Sequence, residues 1–203
     1  MALIDYTYFV GEIQIPNLAT PELQSRINWF INQYEIKMLR EWMGEDMYRD
    51  FMDALGLNGS GFDNVTDGQA NEGMDPWWAQ LLNGVEYVGL DERKHKWKGI
   101  VCLQDDYNTS KTAPSAYFVY YWYMRDAVTQ TTGNGEIFKQ AENGIIISPR
   151  QKVVTAWQKV VDWAHDFIWY MDTYYLQTEY VDWWLANRYR MLEKYRYINS
   201  YSI

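Results

Sequence analysis

The residues able to do chemistry are few. His95 and His165 are the only histidines, so any imidazole-dependent reaction has two candidates. His165 and Asp166 are neighbours in a helical stretch and point to different faces, which breaks the geometry in which a carboxylate orients an imidazole. A solvated helix face is the expected place for His165. Cys102 is the single cysteine, so no intrachain disulfide is expected, and with no base placed beside it by the sequence it reads as a small buried thiol. Asp63-Asn64-Val65-Thr66-Asp67-Gly68 sets acids at loop positions one and five and glycine at six, as a calcium loop does. It fails elsewhere, because Val65 stands where a ligand is needed and Met74 where the bidentate glutamate belongs. No Cys or His spacing suits zinc, no Gly-x-x-x-x-Gly-Lys-Ser/Thr run is present, and Gly133-Asn134-Gly135 precedes no strong helix start. The acid pairs Asp105-Asp106 and Glu45-Asp46 read as acidic helix turns rather than as an acid and a base. No catalytic, cofactor-binding or metal-ligating residue is assigned, no cofactor is expected, and the chain reads as a non-enzyme.

Two patterns point to binding instead. Arg93-Lys94-His95-Lys96-Trp97-Lys98 is a basic cluster with an aromatic inside it, the kind that tracks a nucleic-acid backbone. Beside an acidic stretch, its expected partner is the acids of residues 41–75, within the chain or across a subunit boundary. Tyr117 to Tyr123 is almost continuously aromatic and could serve as a sugar platform, but it lies in a helix, where packing into the core is the expectation.

The elements that hold these residues can be read from period and punctuation. Residues 1–19 lack a helical period and read as an extended arm. Thr20 caps and Pro21 opens a helix in which Leu23, Ile27, Phe30, Ile31, Tyr34, Met38 and Trp42 share one face, ended by Gly44. A shorter helix follows from Glu45 to about Leu55. Residues 56–75 read as a long surface loop, and Asp75-Pro76 starts a short helix stopped by Gly84. Residues 85–98 predict a β-hairpin with a charged tip, helix resumes near Gly99, and Asn108 to Pro114 breaks it. Ala116 to Met124 is apolar on every face and predicts the central helix, with Thr132-Gly133-Asn134-Gly135 ending that region. Ser148-Pro149 opens the longest helix, with Val153, Trp157, Val160, Val161, Ala164, Phe167, Ile168, Met171 and Tyr175 on its apolar face. A last helix, about Glu179 to Lys194, leads to a tail at 195–203. The expected fold is therefore mainly α: one domain, 1–203, with a bundle of about five helices over 20–194.

Composition bounds the rest. The 203 residues are 48% apolar and 22% charged, a globular balance for one domain. No apolar run approaches the roughly 18 residues of a membrane span, and no secretory leader is read at the N-terminus, so synthesis in a reducing cytosol is expected. Thirty-six aromatics, 18% of the chain, are more than a monomer of this size is expected to hide, which predicts rings at subunit contacts. The net charge is -9, and Glu41 to Asp75 carries nine acids against one arginine. That excess argues against holding nucleic acid, although an acidic surface can work beside DNA by repelling it.

Four stretches carry a family resemblance. They are Tyr34 to Gly44 with Met47-Tyr48 and Phe51, Trp97-Lys98-Gly99-Ile100 before the central helices, Ala116 to Glu136, and Ser148-Pro149 through Ala156-Trp157. The ending Ile198-Asn199-Ser200-Tyr201-Ser202-Ile203 joins them, with Ser202 in place of an expected glycine. In these the chain resembles the head-to-tail connector (adaptor or ring) proteins of tailed bacteriophages, most of all those of crAss-like and related Bacteroidales phages. The resemblance implies a structural virion protein made in the host cytoplasm, an α-helical subunit of a twelvefold homo-oligomeric ring in the neck. Its partners would be the portal and neighbouring tail proteins, with DNA passing the channel unbound and no membrane contact. It brings no catalytic residues. The alternatives are a tail-completion protein at another level of the tube and, from a different class, a carbohydrate-binding module.

Overall fold

A computed structural model describes residues 2–57, 62–66, 68–103, 111–132, 135–138, 150–174 and 178–198. Pro21 opens α1 (Pro21–Ala54), where its fixed φ suits the first turn and its missing N–H would be unpaired anyway. Thr20 precedes it in extended backbone but does not cap it. Its hydroxyl donates back to the Asn17 carbonyl at 3.2 Å. Gly44 breaks the helical backbone at φ 76° and ψ 173°, a region open only to glycine, so α1 consists of two helical limbs that meet at a kink where the sequence placed the boundary between two helices. The bend brings Gly44 against Trp183, whose indole would overlap any Cβ placed there.

The expected loop over 56–75 contains a hairpin, β1 (Val65–Thr66) paired with β2 (Gln69–Ala70). Asparagines tie it down. Asn64 donates to the Ala54 carbonyl (2.8 Å) and Asn71 to that of Asp63 (2.8 Å), while Asn83 accepts from Ala70 N–H (2.8 Å) and donates to the Gly68 carbonyl (2.7 Å). Such amide-to-backbone bonds replace the ladder a loop lacks. Next comes α2 (Pro76–Asn83), capped by the Asp75 carboxylate on the Trp77 N–H at 2.9 Å. The predicted β-hairpin is present as β3 (Val85–Val88) and β4 (Lys94–Trp97), with Val85 opposite Trp97 and Val88 opposite Lys94.

The helix expected near Gly99 is not formed by the described residues 99–103, and residues 104–110, with the break expected from Asn108, lie outside the described residues. Gly84 and Gly99, both at φ 90°, let the chain run back against the C-terminal end of α2. There the N–H groups of Ile100 and Val101 donate to the Leu81 and Leu82 carbonyls (3.1 and 2.8 Å), groups that a helix end leaves unpaired. Those donors are thus lost to a local helix. The chain continues as β5 (Cys102–Leu103), paired with β6 (Lys111–Thr112).

The central helix α3 (Pro114–Val128) is followed by β7 (Thr129–Thr132) and β8 (Gly135–Phe138), which pair antiparallel with Thr129 opposite Phe138 and Thr132 opposite Gly135. The long helix α4 (Arg150–Tyr174) and α5 (Val181–Lys194) complete the chain. The Ser148-Pro149 start and residues 199–203 of the tail lie outside the described residues. The architecture is mainly α, as the sequence predicted. As expected of a helix apolar on every face, α3 is packed between α1 and α4, with Ala116 to Tyr121 all buried. Residues 2–19 depart from the extended arm that was expected. They form two 3-10 turns, Tyr6–Tyr8 and Gly11–Ile13, and bury Ile4, Tyr8, Phe9, Ile13 and Ile15 against the core.

The monomer also hides far more rings than the composition suggested. Among the described residues only Tyr6, Trp29, Trp169, Tyr189 and Tyr197 are exposed rings. The others interlock: Phe30 stacks on Tyr34 and meets Tyr123 edge-on, Tyr34 stacks on Trp122, and Trp97 stacks on Tyr170. Three helical layers packed through offset and edge-to-face contacts give many of these rings two or more aromatic neighbours, which is how so many are accommodated.

Candidate interaction surfaces

A cleft of about 700 Å³ runs between the first limb of α1 and α5. Asn32, Gln33, Ile36, Lys37 and Arg40 form one wall, and Trp183, Asn187, Arg190 and Lys194 the other, because these positions recur every three to four residues along each helix. Its acids are partly spent. Lys194 holds Glu41 at 2.6 Å and Arg40 holds Glu45 at 3.2 Å, while the Tyr195 hydroxyl donates to the other oxygen of Glu41 at 2.9 Å. The Lys37 ammonium lies over the Tyr34 and Trp122 rings at 5.8 and 5.1 Å. Four cations against two carboxylates leave the cleft positive in a chain that is negative overall.

An apolar patch lies on another side of the molecule. Leu90, at the hairpin tip, is 73% exposed and lines a second cleft with Trp169 of α4 and Arg188 of α5. Arg188 donates to Asp172 at 2.7 Å and covers the ring of Tyr189, which is 72% exposed, with exposed Leu185 one turn earlier. Trp169 keeps its place by stacking on His95, which donates to Asp91 at 2.8 Å and holds that carboxyl below its ordinary range.

Acids accept hydrogen bonds from distant elements near the N-terminal segment, beside α5 and at Tyr197. Tyr117 of α3 donates to Glu12 at 2.8 Å, Tyr180 to Asp50 at 2.8 Å, and Tyr197 to Asp162 at 2.7 Å. Burial and the facing carboxylate together raise the Tyr117 and Tyr180 hydroxyls well above the ordinary phenol range. The Trp157 indole donates to the Arg196 carbonyl at 2.9 Å, and Tyr195 stacks on the same ring. Glu35, only 1% exposed, accepts from the Leu3 N–H at 2.7 Å and from the Ser115 hydroxyl at 3.0 Å. Sequence reading missed it, although its position was a signal: it falls four residues after Ile31 and four before Leu39, on the apolar stripe of α1.

The residues singled out for chemistry are scattered. His95 sits on the hairpin and half-buried His165 on α4, where Tyr197 meets it edge-on. The backbone of Cys102 lies in β5, and Asp105-Asp106 and Gly133-Asn134 lie outside the described residues. The calcium-like loop spends the Asp63 carbonyl on Asn71. Among the described residues no group of three His, Cys, Asp or Glu is placed to hold a metal ion, and no helix is long and apolar enough to cross a membrane. In the basic cluster, Lys98 pairs with Asp166 of α4 at 3.2 Å, not with an acid of residues 41–75. The rings from Tyr117 to Tyr121 and Tyr123 are buried, so they present no sugar platform. No known protein family, curated protein or solved structure matches the chain.

Proposed function

We propose that this chain is a structural virion subunit whose copies associate into a twelvefold ring in the neck of a tailed phage, joining the portal to the tail and lining the DNA channel. The observation that carries the reading is the exposed apolar group Leu90, Trp169, Leu185 and Tyr189 around Arg188, a concentration of large exposed side chains of a kind that marks a protein contact. Two further properties support it. The scaffold is mainly α, with residues 2–19 and 195–198 packed or bonded to it, and the net charge of -9 suits a passage that must not hold DNA. The reading assigns no reaction, no cofactor and no membrane partner. Size-exclusion chromatography with light scattering, alone and with portal rings, tests it. Self-association or portal binding is expected, and a monomer that ignores portal rings under every condition contradicts it. A tail-completion role at another level of the tube would give association with tail components in place of the portal.

A further inference from the structure

The cleft between α1 and α5 and the loop between α1 and α2 are opposite in charge and separate in position. We infer that the cleft is the docking site for the acidic hairpin loop of a second copy of this chain, an inference that rests on the ring reading and gives it one specific contact. Residues 56–75 contain Asp63, Asp67, Glu72 and Asp75 and no lysine or arginine. Asp63, Glu72 and Asp75 are exposed, and the amides of Asn64, Asn71 and Asn83 tie the described residues 62–66 and 68–71 down, so docking costs them little ordering entropy.

The cleft is built to receive carboxylates. Glu41 and Glu45 occupy Lys194 and Arg40, while Lys37 and Arg190 face the same space with no carboxylate partner among the described residues. Asn32, Gln33 and Asn187 add amide donors along the walls. Trp29, 56% exposed, stands one turn before Gln33 on the same face of α1 and supplies a rigid ring at the rim. The walls are helices locked by Trp183 packed on Gly44 and by the Tyr195–Glu41 bond, so the site is preformed.

The loop of the same chain does not reach it. It leaves α1 at Ala54, ten residues past Gly44 and about 15 Å along the second limb at 1.5 Å per residue. It is bonded there to Ala54 and Asn83. A second copy must therefore supply it. Because cleft and loop are different patches of one surface, a single contact leaves one cleft and one loop open: repeated head-to-tail it closes into a ring or runs on as a filament, whereas a two-fold dimer satisfies it only by making it twice, reciprocally. The exposed tip cations Arg93 and Lys94 are the competing target for the loop.

Cysteine cross-linking in the full-length chain tests the contact. In a C102S background, N187C and E72C are made singly and mixed under mild oxidation at concentrations where light scattering detects association. A disulfide-linked heterodimer is expected from the mixture, with a ladder from the N187C/E72C double variant. Association without that cross-link overturns the cleft as the docking site while leaving the ring reading intact, whereas a chain that stays monomeric with portal rings present overturns both. A charge swap adds a second readout. R190E and E72K alone should each weaken association by at least tenfold, and mixing the two should recover most of the loss across the swapped contact. If R93E/K94E abolishes association and R190E leaves it unchanged, the loop docks on the hairpin tip and the inference fails.

Discussion

The backbone N–H of Leu3 donates a 2.7 Å hydrogen bond to Glu35, thirty-two residues further along, inside the core where the carboxyl is almost fully covered. The second oxygen faces the Ser115 hydroxyl on α3. One acid thus joins the N-terminal segment, α1 and α3. Burial raises its carboxyl to about 7, against the bonds from Leu3 and Ser115, which favour the anion. A hydroxyl suits this position, since it donates to the carboxylate and accepts from the acid.

Stability should therefore fall with rising pH through this group. A folded pKa above the unfolded one contributes stability in full below the unfolded value and loses it as pH rises through the folded value. The window runs from 4.5 to about 7, a span corresponding to about 3 kcal/mol. Glu35→Gln keeps an oxygen for Leu3 and offers an amide to Ser115, without a proton to lose. Urea unfolding at pH 5 and pH 8.5 checks it. The variant should be the more stable protein at pH 8.5, with most of the difference gone at pH 5.

Gly44→Ala should cost roughly 3 kcal/mol, because it forces a side chain into φ 76° and drives a Cβ into the Trp183 indole. Thermal unfolding reads the loss. A neutral result would mean that the kink is not held as described.

Tyr195→Phe removes a buried donor to Glu41, and Tyr180→Phe one to Asp50. Each should destabilise by about 1 to 2 kcal/mol in denaturant titrations, since the carboxylate left behind loses a partner. The Tyr195 change should be partly offset by Lys194, which stays on Glu41.

Leu90→Ser and Tyr189→Ser alter side chains that are about three-quarters exposed, so unfolding of the monomer should move by no more than about 0.5 kcal/mol. Association should weaken at least tenfold if the patch is a contact. Sedimentation equilibrium separates the two effects.

Much of the scaffold was legible because local signals and tertiary packing agree. Pro21 and Pro76 start helices, Gly44 interrupts one, and the all-apolar face of Tyr117 to Tyr123 marks the centre. Gly99 to Leu103 was misread because its donors are captured by α2 carbonyls, a partner that no local window contains. The arm was read as extended because two 3-10 turns leave no period. The positive cleft was invisible for a related reason. Lys37 and Arg190 come together only when α1 and α5 pack, and Glu35 was passed over as one polar residue within an apolar stripe.

The most direct test is electron microscopy of the purified protein mixed with portal-containing capsids. The ring reading predicts a symmetric collar of this chain directly beneath the portal, with adjacent subunits in head-to-tail contact. A bare portal beside free monomer would contradict it.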